Sequence, residues 1–293
     1  MTQPILELQD VTFTYPDGSP GLSHCSLAVA QGSRTAILGG NGAGKTTLCL
    51  HLNGILRPQS GQVRFDGHPL DYSRRGLKHL RSRVGLVFQN PDAQLLSASV
   101  REDVSFGPMN LGLERGAILE RVEKAVEAVG LGDLADKPVH HLSFGQKKRV
   151  CLAGVLAMQP EVIVLDEPFS SLDAPMRRDL LAILEGLSAE GITLLISSHD
   201  LDFAYEWADC WHILAAGHLA ASYGFAEVPH IFQHLTELGL GVPKVAELYQ
   251  ELVAAGVLPP ANPPPPRSHA DLLARIRQAG EQLAWNAGGF QKM

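Results

Sequence analysis

Apolar residues alternate with polar ones through residues 5–15, where Ile5, Leu6, Leu8, Val11, Phe13 and Tyr15 stand out. That period predicts an antiparallel strand with one buried face. Residues 16–21 are dense in turn formers, and residues 26–30 predict a second strand before the Gln31-Gly32 turn. Residues 62–67 and 83–89 read as two further strands, and residues 114–130 show a helical period. Ile118, Val122, Ala125, Val126 and Val129 share one face of that helix, and Gly130 is placed to end it. Residues 162–165 and 193–196 are short and wholly apolar, which suits parallel strands covered on both faces. A predicted helix at about 175–189 joins them into a β–α–β unit.

From about residue 226 the texture changes. Residues 229–257 read as helices, with Ile231, Phe232, Leu235, Leu238, Val245, Leu248, Tyr249 and Leu252 as their apolar positions. Residues 259–266 read as a polyproline spacer. Beyond it, Leu272, Leu273, Ile276 and Leu283 predict one weakly amphipathic helix, and the end from Gly288 is expected to fray.

One stretch carries explicit chemistry. Gly39-Gly40-Asn41-Gly42-Ala43-Gly44-Lys45-Thr46-Thr47 fits G-x-x-x-x-G-K-[ST]. The apolar run Thr35, Ala36, Ile37 and Leu38 leads in as a strand, and residues 46–52 lead out as a helix expected to stop at residues 57–61. Such a loop turns backbone N–H groups towards phosphate oxygens, and the helix start adds its positive dipole end. Lys45 is then placed for the β- and γ-phosphates and the Thr46 hydroxyl for Mg²⁺. Val162-Ile163-Val164-Leu165-Asp166-Glu167 puts two carboxylates at the end of a buried strand, the edge where open α/β sheets bind ligands. Asp166 suits the Mg²⁺ shell and Glu167 the polarising of an attacking water. Ser143-x-x-Gln146 is a capping box that opens a helix, and a free helix start is itself an anion site.

Leu142-Ser143-Phe144-Gly145-Gln146, between the loop and the carboxylate strand, resembles the signature of the ATP-binding-cassette (ABC) ATPases. The resemblance covers roughly residues 4–225 and implies roles for residues that bear no chemistry by themselves. Tyr15 matches the aromatic residue that stacks on adenine, Gln89 the Q-loop glutamine that joins the Mg²⁺ shell, Asp173 the D-loop aspartate and His199 the switch histidine at the γ-phosphate. Phe144 stands where most of the family has glycine, so the packing of this loop is expected to differ. The stretches at 89–95, 102–108 and 142–150 resemble the energy-coupling-factor (ECF) branch, and within it the cobalt/nickel import subunits.

The fold so implied is an α/β P-loop NTPase of the ABC type, with a parallel core sheet, an antiparallel β subdomain and a helical subdomain. Its expected limits are residues 1–225 for the ATP-binding domain, with the helical subdomain at about 90–160. A helical appendage at 226–258, a Pro-rich linker at 259–267 and a tail at 268–293 follow. The resemblance also implies that Ser143, Gly145 and Gln146 complete the γ-phosphate shell of a nucleotide held by a second subunit. One loop and one signature per chain make a symmetric homodimer the simplest closure.

Composition then narrows the setting. No run of about 18 apolar residues exists, so none is expected to cross a membrane, and the first residues predict no signal peptide. Transport would then need integral membrane partners, docked by resemblance at residues 90–110, with the chain on the cytoplasmic face. Leu95, Leu96 and Val100 in that stretch also fit a core role. Lys+Arg 24 against Asp+Glu 31 gives a net charge of −7, which argues against the rival reading of an ABC ATPase acting on nucleic acid or ribosomes. Glu167 and His199 together disfavour a regulator that binds nucleotide without hydrolysis. A vitamin-importing ECF module stays open beside cobalt or nickel import, because the cargo site would lie in a partner. The four cysteines form no C-x-x-C pair, and His230 with His234, four apart without a third ligand, read as solvated.

Overall fold

The computed structural model describes residues 4–230, 232–259 and 265–288, with the side chains of 228–230 and 281–288 excepted. Strands β1 (Pro4–Thr14) and β2 (Pro20–Ala30) pair antiparallel, closed by a turn in which Tyr15 N–H donates to Ser19 O. β2 therefore begins inside the stretch read as turn, because Pro20 already pairs with Thr14. Next come β3 (Arg34–Leu38), α1 (Lys45–Leu52), β4 (Ser60–Phe65), β5 (His68–Pro69), α2 (Arg74–Arg83) and β6 (Val84–Val87). Three packed helices follow: α3 (Val100–Leu111), α4 (Arg115–Ala128) and α5 (Phe144–Leu156). Then come β7 (Val162–Asp166), α6 (Ala174–Ala189), β8 (Thr193–Ser198), α7 (Leu201–Trp207), β9 (Cys210–Ala215) and β10 (His218–Gly224). The chain closes with α8 (Phe232–Glu237), α9 (Lys244–Ala254) and α10 (His269–Gly288).

The strands form a four-stranded sheet, β2-β1-β4-β5, and a six-stranded sheet, β10-β9-β3-β8-β7-β6. The first is antiparallel, and β3, β8, β7 and β6 run parallel, as the two kinds of apolar pattern predict. One apolar cluster joins both sheets around α1, including Leu6, Leu8, Leu48, Leu52, Val164 and Leu195. α1 is buried on nearly every side, so it shows no clean amphipathic stripe. It stops at Asn53-Gly54, earlier than the Arg57-Pro58 break, because Gly54 takes a left-handed turn (φ 67°). β6 likewise ends at Val87, two residues short of the predicted strand.

His212 of β9 ties the two sheets together. Its Nε2–H donates to the Ala28 carbonyl (3.1 Å), leaving Nδ1 to accept from the Ser222 hydroxyl (2.7 Å). Burial pulls its pKa from 6.5 down to about 4. The folded chain then binds fewer protons than the unfolded one, so stability is present above about pH 6.5 and is lost as pH falls towards 4. Between pH 7 and pH 5 the loss from this group is expected to be about 2 kcal/mol. Urea unfolding of wild type and His212→Gln at both pH values checks it, since the variant should lack this part of the acid sensitivity.

The chain divides into two compact units, Met1–His199 with His212–Ser222, and Asp200–Trp211 with Tyr223–Met293. In the second, Tyr205, Phe225 and Phe232 cluster, and Arg267 donates to the Tyr205 and Ala208 carbonyls (3.4 and 2.6 Å) at the end of α7. α10 packs on α9, with Leu272 buried, whereas Leu273 and Leu248 are exposed, against the sequence expectation. Ile231, most of the polyproline spacer, the Leu283 side chain and the end after Gly288 lie outside the described residues. The His230 side chain does too, and His234 Nδ1 meets the Tyr223 hydroxyl at 2.6 Å. Among the described residues, no cluster of three metal-binding side chains occurs and no helix is long and apolar enough to cross a membrane.

Candidate nucleotide site

Strand register brings the chemistry to one edge of the six-stranded sheet. Leu38 of β3 pairs with Ser198 of β8, and Asp166 of β7 with Ser197. The chain therefore leaves β3 into Gly39, β7 into Glu167 and β8 into His199 side by side. β6 pairs Val87 with Leu165 and delivers Gln89, exposed, to the same edge.

The loop between β3 and α1 has a shape that side chains would break. A Cβ on Gly39 would lie 2.5 Å from the Leu214 carbonyl oxygen, and one on Gly44 2.7 Å from that of Gly21. Gly44 also has φ 103°, a conformation open to glycine alone at little cost. Beside Gly40 and Gly42 there is open space, the side from which a phosphate can approach. Asn41 and Ala43 complete the turn, and Ala43 O accepts from Gly217 N–H in the β9–β10 turn (3.0 Å). Lys45, buried, donates to Gly39 O (2.8 Å) and Gly40 O (3.1 Å), and its ammonium lies 3.4 Å from Glu167 Oε1.

Thr46 Oγ1 donates to Asp166 Oδ2 at 2.7 Å, and Ser197 Oγ donates to Asp166 Oδ1 at 2.5 Å. A hydroxyl and a buried carboxylate are thus juxtaposed, the hard oxygen donors that Mg²⁺ takes. Glu167 sits at φ 45°, an uncommon region for a residue with a side chain. Its N–H donates to Ser197 Oγ (2.9 Å), and its carboxylate lies 3.0 Å from His199 Nδ1. Tyr15 follows β1, meets Thr47 Oγ1 through its hydroxyl (3.0 Å) and packs edge-on against Phe13.

The signature residues form a second cluster. Ser143 caps α5 with the reciprocal bonds expected: Gln146 N–H donates to Ser143 Oγ (3.2 Å) and Ser143 N–H to Gln146 Oε1 (2.9 Å). The Gln146 amide oxygen is thereby engaged in shaping the helix start. Gly145 packs on Met176 of α6, where a Cβ would come within 2.5 Å of the sulfur. Asp173 caps α6, accepting from Met176 N–H (2.8 Å). Phe144 is partly exposed, and its ring faces the Lys148 ammonium at 5.4 Å.

Two residues with no role in the sequence reading serve this site. Ser197 ends an apolar strand, where a buried hydroxyl needs partners, and it bonds both Asp166 and Glu167. Lys148 is the middle one of three consecutive basic residues, Lys147-Lys148-Arg149. It is 2% exposed and donates to Glu167 O (3.2 Å), Pro168 O (2.6 Å) and Ser170 O (3.0 Å). Burial pulls its pKa down to about 8.

Residues 22–170 match the family described as ABC transporter. An energy-coupling factor transporter ATP-binding protein, EcfA, of Methanothermobacter thermautotrophicus is 46% identical over 86% of this chain and 81% of its own. Its counterpart in Carboxydothermus hydrogenoformans is 45% identical over 84% of this chain and 90% of its own. Among solved structures, cbiO1 of Clostridium perfringens, part of the ABC transporter complex cbiONQ, shares 42% identity and a TM-score of 0.71, covering 84% of this chain and 99% of its own. With the loop, the paired carboxylates and the signature helix assembled on one fold, this chain belongs to the ABC transporter family as an ATP-binding and ATP-hydrolysing subunit of the energy-coupling-factor type.

Proposed function

We propose that two copies of this chain close around two ATP molecules and that hydrolysis there energises uptake of cobalt or nickel through integral membrane partners. The observation that carries the catalytic part is the convergence of Lys45, Thr46, Asp166, Glu167 and His199 through contacts of 2.7–3.4 Å. Lys45 and His199 neutralise charge growing on the γ-phosphate, and Glu167 orients the attacking water and accepts its proton. Tyr15 offers its ring to the adenine. Thr46, Asp166 and Gln89 hold Mg²⁺, which when bound neutralises phosphate charge. Ser143, Gly145 and the start of α5 close over the γ-phosphate of the partner copy's nucleotide.

A groove of about 360 Å³ supports the membrane-partner reading. Phe88, Leu96, Phe106 and Met158 line it with Arg81 and Asp103 at hand, and Leu96 (74%) and Phe106 (53%) stand exposed. Val100 is core, so the stretch after Gln89 divides between packing and an apolar surface for a helix of the partner, at the cytoplasmic face. The metal assignment is supported by the signature-region resemblance and by the likeness to cbiO1. Co-purification with the membrane partners and uptake of radiolabelled cobalt or nickel into vesicles tests it. ATP-dependent metal uptake is expected, and uptake of a vitamin in place of either metal would overturn it.

A further inference from the structure

We infer that Lys148 is a positioning residue: from the second turn of α5 it holds the backbone of Glu167 from behind and makes the aim of that carboxylate depend on where the signature helix sits. The inference rests on the reading of Glu167 as the group that orients water.

The geometry is specific. Lys148 Nζ meets three carbonyls of one tight turn, those of Glu167, Pro168 and Ser170, and the Ser170 hydroxyl at 3.3 Å. Carbonyl oxygens converging on one point repel each other unless a cation sits among them. The same turn contains Glu167 at φ 45° and Ser171 at φ 62°, two left-handed residues that the chain does not adopt unaided. It is closed by Ser170 N–H and Ser170 Oγ, both donating to Glu167 O (3.2 and 2.9 Å). Glu167 is therefore gripped on both sides, its N–H by Ser197 and its C=O by Lys148. Lys148 donates to the backbone of Glu167 and not to the carboxylate, so its hydrogen bonds act on chemistry through position, beside the field that its charge exerts on Glu167 and Asp166. Five residues upstream, Ser143 opens the same helix, and Gly145 packs on Met176. A shift of α5 on closure over a partner's nucleotide then moves the ammonium that fixes the chain's own Glu167, which links the two sites of a dimer.

Steady-state ATPase measurements on the full chain test this, with Lys148→Met removing the donors at similar length and Lys148→Arg keeping charge and donors. A catalytic group displaced by about an ångström costs on the order of a hundredfold. Lys148→Met is therefore expected to lower kcat by roughly tenfold to a hundredfold with KM within about twofold, and Lys148→Arg to restore most of the rate. Because Lys148 acts through Glu167, adding Lys148→Met to Glu167→Gln is expected to cost nothing further. An unchanged kcat in folded Lys148→Met, or effects that multiply in the double variant, would overturn the inference. Should Lys148→Met fail to fold, Lys148→Gln, which keeps an amide NH₂ but no charge, carries the same comparison. Full turnover in Glu167→Gln alone would instead overturn the role of Glu167.

Discussion

Glu167→Gln is expected to lower ATP turnover by a factor on the order of 10³, while ATP still binds and holds two chains together. The amide keeps the size of the carboxylate and its contact distance to His199, so the site should retain its shape. What it loses is the charge that accepts the water proton, together with the ion pair to Lys45 at 3.4 Å. Phosphate release reports the first consequence. Size-exclusion chromatography with ATP and Mg²⁺ reports the second, as a dimer that persists because the step that reopens it is slow. Undiminished phosphate release would place the base elsewhere.

The second large effect concerns the composite nature of the site. Lys45→Ala removes a buried cation from the phosphate loop, and Gly145→Asp sets a negative charge where the signature helix would meet the partner copy's phosphate. Each alone is expected to lower turnover on the order of a hundredfold. Gly145→Asp should leave nucleotide binding by the isolated chain close to wild type, since its own loop is untouched. Mixed in equal amounts, the two inactive variants should regain about a quarter of the wild-type sites, since half of the dimers pair one intact loop with one intact signature. Phosphate release from the mixture decides it. No recovery at all would mean that each chain hydrolyses ATP with its own residues only, or that one intact site cannot turn over alone.

Much of this was readable from the chain because it is local. The phosphate loop, the Ser143–Gln146 cap and the apolar strands before Asp166 and before His199 are each specified within a few residues. Elements decided by tertiary context were not legible. α2 has only Leu77 and Leu80 to mark its apolar side among basic and polar residues, and α3 contains Gly107-Pro108, a pair that ordinarily marks a turn. In β9 the apolar run is broken by His212, a polar residue in sequence and a fully packed link between sheets in the fold. Lys148 escaped for the same reason: Lys147 reaches Asp92 and Arg149 the Val129 carbonyl, while the lysine between them turns inward. Nothing in three consecutive basic residues says which one is buried. At the other end, Leu248 and Leu273 fit core positions by spacing but are exposed, while their neighbours Tyr249 and Leu272 take the buried places.

The phosphate loop carries a consequence for how the chain is made. Its first glycine is shaped against the carbonyl of Leu214 in β9, and Ala43 is held by the N–H of Gly217 in the β9–β10 turn, the last hairpin of the core. Synthesis proceeds from the N-terminus, so the loop emerges long before either contact exists. A nascent chain that has exposed every ATP-binding sequence feature up to His199 still lacks the wall that sets the cradle. Nucleotide capture during translation should therefore begin only once the β9–β10 turn has left the ribosome, and chains arrested before it should pass as nucleotide-blind.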